Sequence, residues 1–188
     1  MSALENAAAV GAPLRRRPSK GTALAELVPD IRRMRPRVVI GVPGDDVHVV
    51  ANQLAETLLS AVGYDVTNLG VLVPCETFVD AARADDAAAV LLSSVNGHAL
   101  LNCGQLPRAL QDAGLRIPVY LGGNLSVGDE PWEVVEGRFA ALGFARVFSP
   151  TVDLVEGVRE LSVALLASAE ARGLRRGSER KERLAAGS

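Results

Sequence analysis

Residues 36–51, Pro-Arg-Val-Val-Ile-Gly-Val-Pro-Gly-Asp-Asp-Val-His-Val-Val-Ala, constrain the fold more than any other stretch of this chain. Val38 to Val42 is a short run rich in β-branched apolar residues, the pattern of a strand buried on both faces. Pro43 and Gly44 end it, Asp45, Asp46 and His48 follow, and apolar helical spacing resumes at Val49 and Val50. A buried strand, a polar turn and a helix open an α/β sheet of the kind that binds ligands beyond the carboxyl ends of its strands. His48 falls at such a position, with Asp46 two residues before it. A metal-ligating imidazole usually donates its second ring N–H to a carboxylate, which fixes its tautomer. An isolated Asp-x-His is equally the content of an ordinary surface loop, so the pattern needs support from elsewhere.

Downstream, the hydrophobic periodicity predicts a helix over 49–62 through Val50, Leu54, Leu58, Ala61 and Val62, with Gly63 as its stop. Strand two is expected over 64–69, helix two over 76–84, and strand three over 88–92, closing at Ser93-Ser94. A third helix is expected over 103–113, then strand four over 118–121, closing at Gly122-Gly123-Asn124. Helix four is expected over 131–142 with Pro131 in its first position, strand five over 146–148, and a closing helix over 152–171. Five strands alternating with helices predict a doubly wound, flavodoxin-like parallel sheet, most simply in the order 2-1-3-4-5. The switch point then lies between strands one and three, beside His48 and Ser93-Ser94.

The 188 residues divide into an N-terminal extension (1–35), a domain (36–171) and a basic C-terminal tail (172–188). Residues 1–22, with Arg15-Arg16-Arg17, lack periodicity and read as disordered. A short helix fits 23–34, although Pro29 argues against a regular one. Charge is uneven: residues 38–171 carry six Arg, no Lys and seventeen acids, and the basic residues gather at the two ends. An acidic body with short basic ends does not fit a nucleic-acid-binding core. No apolar run approaches the roughly 18 residues of a membrane span, and no signal-peptide pattern opens the chain, so a cytoplasmic protein is expected. Cys75 and Cys103 form neither a metal-binding nor a disulfide pattern.

Ser93, Ser94, Gly97, Gly122 and Gly123 leave side-chain volume empty at the predicted edge and let a ligand approach the backbone. A phosphoryl-accepting receiver domain would use Asp45-Asp46, but it needs an Asp closing strand three and a Lys closing strand five, where this chain has Ser93 and Ser149. A flavin site calls for aromatic stacking partners, and aromatics are 4% of the sequence. The third ligand suited to this fold is a corrinoid.

Asp46-Val47-His48, then Ser93-Ser94-Val95-Asn96-Gly97, then Gly122-Gly123-Asn124-Leu125-Ser126-Val127-Gly128 resemble the cobalamin-binding domain family, and within it the small subunits of glutamate (methylaspartate) mutases. Residues 68–72 and the helix from Trp132 to Phe139 share that resemblance, which spans roughly residues 36–165. It implies that His48 is the lower cobalt ligand in place of the cofactor's dimethylbenzimidazole, with Asp46 holding its other ring nitrogen. It implies a nucleotide tail laid in a groove lined by Ser93, Ser94, Gly122 and Gly123. Asp45, Val47, Val49, Val95, Gly97 and residues Asn124, Leu125, Ser126, Val127 and Gly128 complete the expected contacts. The cofactor implied is adenosylcobalamin, and the reaction a radical interconversion of L-glutamate and 3-methylaspartate. A large barrel subunit is implied as partner in a hetero-oligomer, because these 188 residues leave no room for a substrate barrel. A corrinoid carrier of a methyltransferase system, or a cobalamin storage or sensing module, is the alternative. Four positions depart from the family pattern: Asp45 where Ser is common, Ala51 where Gly is usual, and Asn96 and His98 in the Ser-Ser loop.

Overall fold

A computed structural model of the chain describes residues 22–169. The expectations for residues 1–21 and 170–188, the basic segments included, lie outside the described residues. In chain order the elements are α1 (Leu24–Met34), β1 (Arg37–Gly41), α2 (Val49–Val62), β2 (Asp65–Asn68), α3 (Cys75–Ala84) and β3 (Ala89–Ser94). There follow α4 (Ala99–Cys103), α5 (Leu106–Asp112), β4 (Val119–Gly123), α6 (Trp132–Ala141), β5 (Arg146–Phe148) and a last helix, α7, over 154–169.

The five strands form one parallel sheet in the order β2-β1-β3-β4-β5, the predicted doubly wound topology. Side chains alternate across the sheet. Val39, Val90, Leu92, Val119, Leu121 and Val147 enter a cluster with Phe78 from α3, Leu106 and Leu110 from α5, and Phe139 from α6. Val38 and Ile40, of opposite parity, are equally buried. Phe139 meets Phe144 edge to face at 5.3 Å between ring centroids. Truncating either fully buried phenylalanine of this cluster, Phe78 or Phe139, would cost about 3–5 kcal/mol.

The chain divides into two compact units. Residues 35–154 hold the whole sheet. The other unit contains α1 and α7 from Val155 onward; α1 buries Leu27 and Ile31, and α7 buries Val158, Leu161, Ser162, Leu165 and Leu166.

Three local expectations change. Pro29 lies inside α1 without ending it. It is exposed, opposite the Leu27/Ile31 face, so the hydrogen bond it forgoes lies on the side water can reach. The single helix expected over 103–113 is two helices, because Pro107 has no N–H for the carbonyl of Cys103 and starts α5 near its N-terminus instead. Helix α2 has the expected limits but turns a different face inward. Its buried residues are Asn52, Leu59 and Val62, while Val50 and Leu54 are exposed.

Candidate functional site

The carboxyl ends of β1, β3 and β4 meet through their loops. Ser93 and Ser94 stand in register with Gly122 and Gly123, so the Ser-Ser and Gly-Gly pairs are direct neighbours across the β3–β4 ladder. Gly123 has φ +121°, and a Cβ there would lie 2.0 Å from the Ser94 carbonyl oxygen, which only glycine avoids. Gly122 differs: a Cβ there would meet only Phe148 Cβ, in ordinary van der Waals contact at 3.7 Å, so the position has room for one. The loop after β3 touches the loop after β4, where Gly97 N–H donates to the Asn124 carbonyl at 3.2 Å.

Asp46 ties the loop after β1 to the loop after β3. Its carboxylate is 1% exposed and accepts five hydrogen bonds. Oδ1 accepts from His48 N–H at 3.0 Å and faces His48 Nδ1 at 2.6 Å. Oδ2 accepts from Ser94 Oγ at 3.1 Å, Val95 N–H at 2.6 Å and Asn96 N–H at 3.2 Å. Burial by itself would raise the Asp46 pKa. The bonds from Val95, His48 and Asn96 outweigh it and hold the carboxyl well below the usual carboxylate range. An ionised carboxylate can only accept, so Nδ1 of His48 carries the proton of that contact, and in the neutral ring Nε2 holds the lone pair. The His48 side chain is about half exposed, at 53%, and Nε2 is the ring nitrogen left for a ligand.

Asp45, the adjacent acid, turns away from His48. Its exposed Oδ1 accepts from Asn102 Nδ2 at 2.7 Å and Asn96 Nδ2 at 2.9 Å, and those two amides lower its pKa. His98 Nδ1 lies 3.9 Å from Asp45 Oδ2. Three of the four departures from the family pattern, Asp45, Asn96 and His98, therefore touch one another. The fourth, Ala51, stands on the exposed face of α2.

The remaining predicted residues fall as follows. Val47 and Val127 are exposed apolar residues at 60% and 73%, and Val49 is exposed beside them in sequence. Ser93, Val95, Gly97 and Ser126 are half-buried, and Asn124 and Gly128 are exposed. Leu125 points into the core cluster, so only its backbone can face a ligand. Ser94 is fully buried with its hydroxyl committed to Asp46, which makes it a support for that carboxylate and not part of a groove wall. Cys75 and Cys103 are free thiols in the core, both raised in pKa by burial.

Sequence reasoning gave no role to Asn102 or Asn52, and none to Asn68 beyond its place in the 68–72 resemblance. Asn68 had a readable signal: Asn-x-Gly after a strand is a turn in which the Asn carboxamide accepts from the backbone two residues on, as Gly70 N–H does here at 2.9 Å. Asn102 had none.

Among the described residues, no three His, Cys, Asp or Glu side chains converge on a possible metal position. His48 can therefore offer a metal one ligand, which suits an ion whose other positions a macrocycle fills. The arrangement fits a corrinoid on an observation of its own: a single oriented imidazole with its Nε2 free.

Comparison with known proteins agrees. Residues 36–148 match the model of the B12 binding domain family. Glutamate mutase sigma subunit 1 of Haloarcula marismortui is 44% identical over 139 residues, 73% of this chain and 92% of that protein. The glutamate mutase sigma subunit of Carboxydothermus hydrogenoformans is 44% identical over 66% of this chain and 91% of its own length. The fold is shared with a cobalamin-binding protein from Desulfitobacterium hafniense, at TM-score 0.56 and 24% identity over 73% of this chain and 66% of that one. The chain belongs to the B12 binding domain family and, within it, to the glutamate mutase sigma subunits.

Proposed function

We propose that this chain is the cobalamin-binding subunit of a glutamate mutase-type isomerase, with His48 Nε2 as the protein's ligand to cobalt. The observation that carries the reading is the His48 ring itself: Nδ1 against a buried carboxylate at 2.6 Å, in a side chain half exposed. Asp46 keeps that proton on Nδ1, raises the basicity of Nε2 and is itself fixed by Ser94, Val95 and Asn96. The edge at Gly122, which has room for a Cβ, would receive the displaced nucleotide tail, with Ser93 beside it in register and the 124–128 backbone following it in sequence.

The cofactor form is adenosylcobalamin, and the chemistry it supplies when bound is a radical carbon-skeleton rearrangement between L-glutamate and 3-methylaspartate. This chain's share is to bind, orient and tune. Substrate binding and exclusion of water fall to a large barrel subunit in a hetero-oligomer. The exposed Val47, Val50, Leu72, Leu101 and Val127 leave apolar surface on the loops and helices of this edge for cofactor and partner to cover. The relatives called glutamate mutase sigma subunits support the assignment over the methyltransferase carriers.

The test combines the chain, adenosylcobalamin and a large mutase subunit. Formation of 3-methylaspartate from L-glutamate that requires all three supports the proposal. Corrinoid binding without isomerisation, coupled instead to methyl transfer, would overturn it.

A further inference from the structure

Helix α2 begins immediately after His48, yet its first turns have almost no apolar anchor. Val49, Val50 and Leu54 are exposed, and between residues 49 and 58 the only buried side chain is Asn52, at 2%. A carboxamide buried where a helix is usually fastened by leucine or valine calls for a reason. Its partner is specific: Asn52 Nδ2 donates to Asn68 Oδ1 at 2.6 Å. The same oxygen accepts from Gly70 N–H, and Asn68 Nδ2 donates to Glu56 Oε2 at 2.6 Å, one turn further along α2. The chain of donors runs one way, from Asn52 through Asn68 to Glu56.

Asn68 heads the segment 68–73, which is held along the end of β1 by its backbone. Val42 N–H donates to the Gly70 carbonyl, Val73 N–H to the Val42 carbonyl, and Gly44 N–H to the Val73 carbonyl, all at 2.9–3.0 Å. Leu72 N–H donates to the Asp46 carbonyl at 3.2 Å, and Leu72 is held at φ +58°, a left-handed conformation costly for leucine. His48 thus lies between two residues fixed to one segment, Asp46 through Leu72 and Asn52 through Asn68.

We infer that Asn52, Asn68 and Glu56 are positioning residues for His48: the relay fastens the start of α2 so that the imidazole meets Asp46 with Nε2 turned outward. The inference rests on His48 being the cobalt ligand for its consequence in binding, but the position of the ring can be tested without cofactor. Asn52→Leu keeps the branched shape of the buried side chain, with larger methyl ends, and removes its bond. The ligand-free chain carrying it should unfold at a temperature close to that of the parent. Imidazole nitrogen NMR above the histidine titration range should then show His48 moving from one Nδ1–H tautomer toward the mixture found in a free imidazole. Affinity for reduced Co(II) cobalamin should fall about 10-fold, with weaker nitrogen splitting in its paramagnetic resonance spectrum.

Asn68→Asp would set two carboxylates against each other at Glu56 and should produce the same loss. Adding Glu56→Gln restores a donor at that contact and should recover the tautomer and the affinity, which a packing role would not do. An unchanged His48 tautomer in folded Asn52→Leu, or no recovery in the Asn68→Asp/Glu56→Gln pair, overturns the inference. Absence of nitrogen splitting in the parent chain would instead overturn the reading of His48 as ligand, and the tautomer data would still decide the relay.

Discussion

Two aspartate–histidine pairs sit side by side at the carboxyl edge of this sheet, and they differ in nearly every property that matters. Asp46 and His48 are 2.6 Å apart, with the carboxylate buried under five donors. Asp45 and His98 are 3.9 Å apart, both exposed, and the carboxylate is occupied by Asn96 and Asn102. Adjacent acids in one turn thus receive opposite environments. A buried acceptor with many donors fixes whatever is bonded to it, whereas an exposed pair exchanges freely with water and contributes little. The first pair can orient a ligand nitrogen; the second ties two loops together.

The largest break in that comparison should come from Asp46→Ala. Removing the acceptor strands donors in a buried site and should cost about 3 kcal/mol in denaturant unfolding at neutral pH. Asp45→Ala, at an exposed position, should leave the unfolding midpoint where it is. Next comes the Gly-Gly pair, which shows the same contrast between neighbours. Gly123→Ala collides with the Ser94 carbonyl at positive φ and should cost about 2–3 kcal/mol, while Gly122→Ala has room for its methyl, should fold normally, and should lose cobalamin affinity by adding that methyl at the proposed tail site. Circular dichroism melts and a cobalamin titration separate the two outcomes.

The third effect is one of pH. Asp46 titrates lower in the folded chain than its unfolded value near ~4, so its stabilisation is fully present above about pH 4. It is lost progressively as pH falls below that value toward the folded pKa. The stability margin of the parent over Asp46→Asn should therefore shrink in denaturant melts as pH falls between about 4 and 2. The smallest effect expected is that of His98→Ala, which should leave cobalamin affinity unchanged in the same titration.

Much of this was legible in the sequence because its causes are local. The β-branched run at 38–42 and the turn residues after each strand specify the sheet, and Asp46-x-His48 carries its chemistry within three residues. What escaped has causes at a distance. Periodicity finds the amphipathic helix α2 but cannot say which neighbour its stripe meets, and here Val50 and Leu54 face outward while Asn52 faces in. No hydropathy pattern predicts a buried Asn whose partner lies sixteen residues away, or an Asn102 whose acceptor, Asp45, lies fifty-seven away. The break at Pro107 was local and could have been read from its missing N–H.

Paramagnetic resonance of the reduced Co(II) cobalamin complex is the sharpest test of His48 Nε2 as the cobalt ligand. Superhyperfine splitting from a single imidazole nitrogen should appear, take the altered pattern of the isotope when the histidines are ¹⁵N-labelled, and be lost in His48→Ala. Splitting that ignores the protein label, or that survives in His48→Ala, would contradict it.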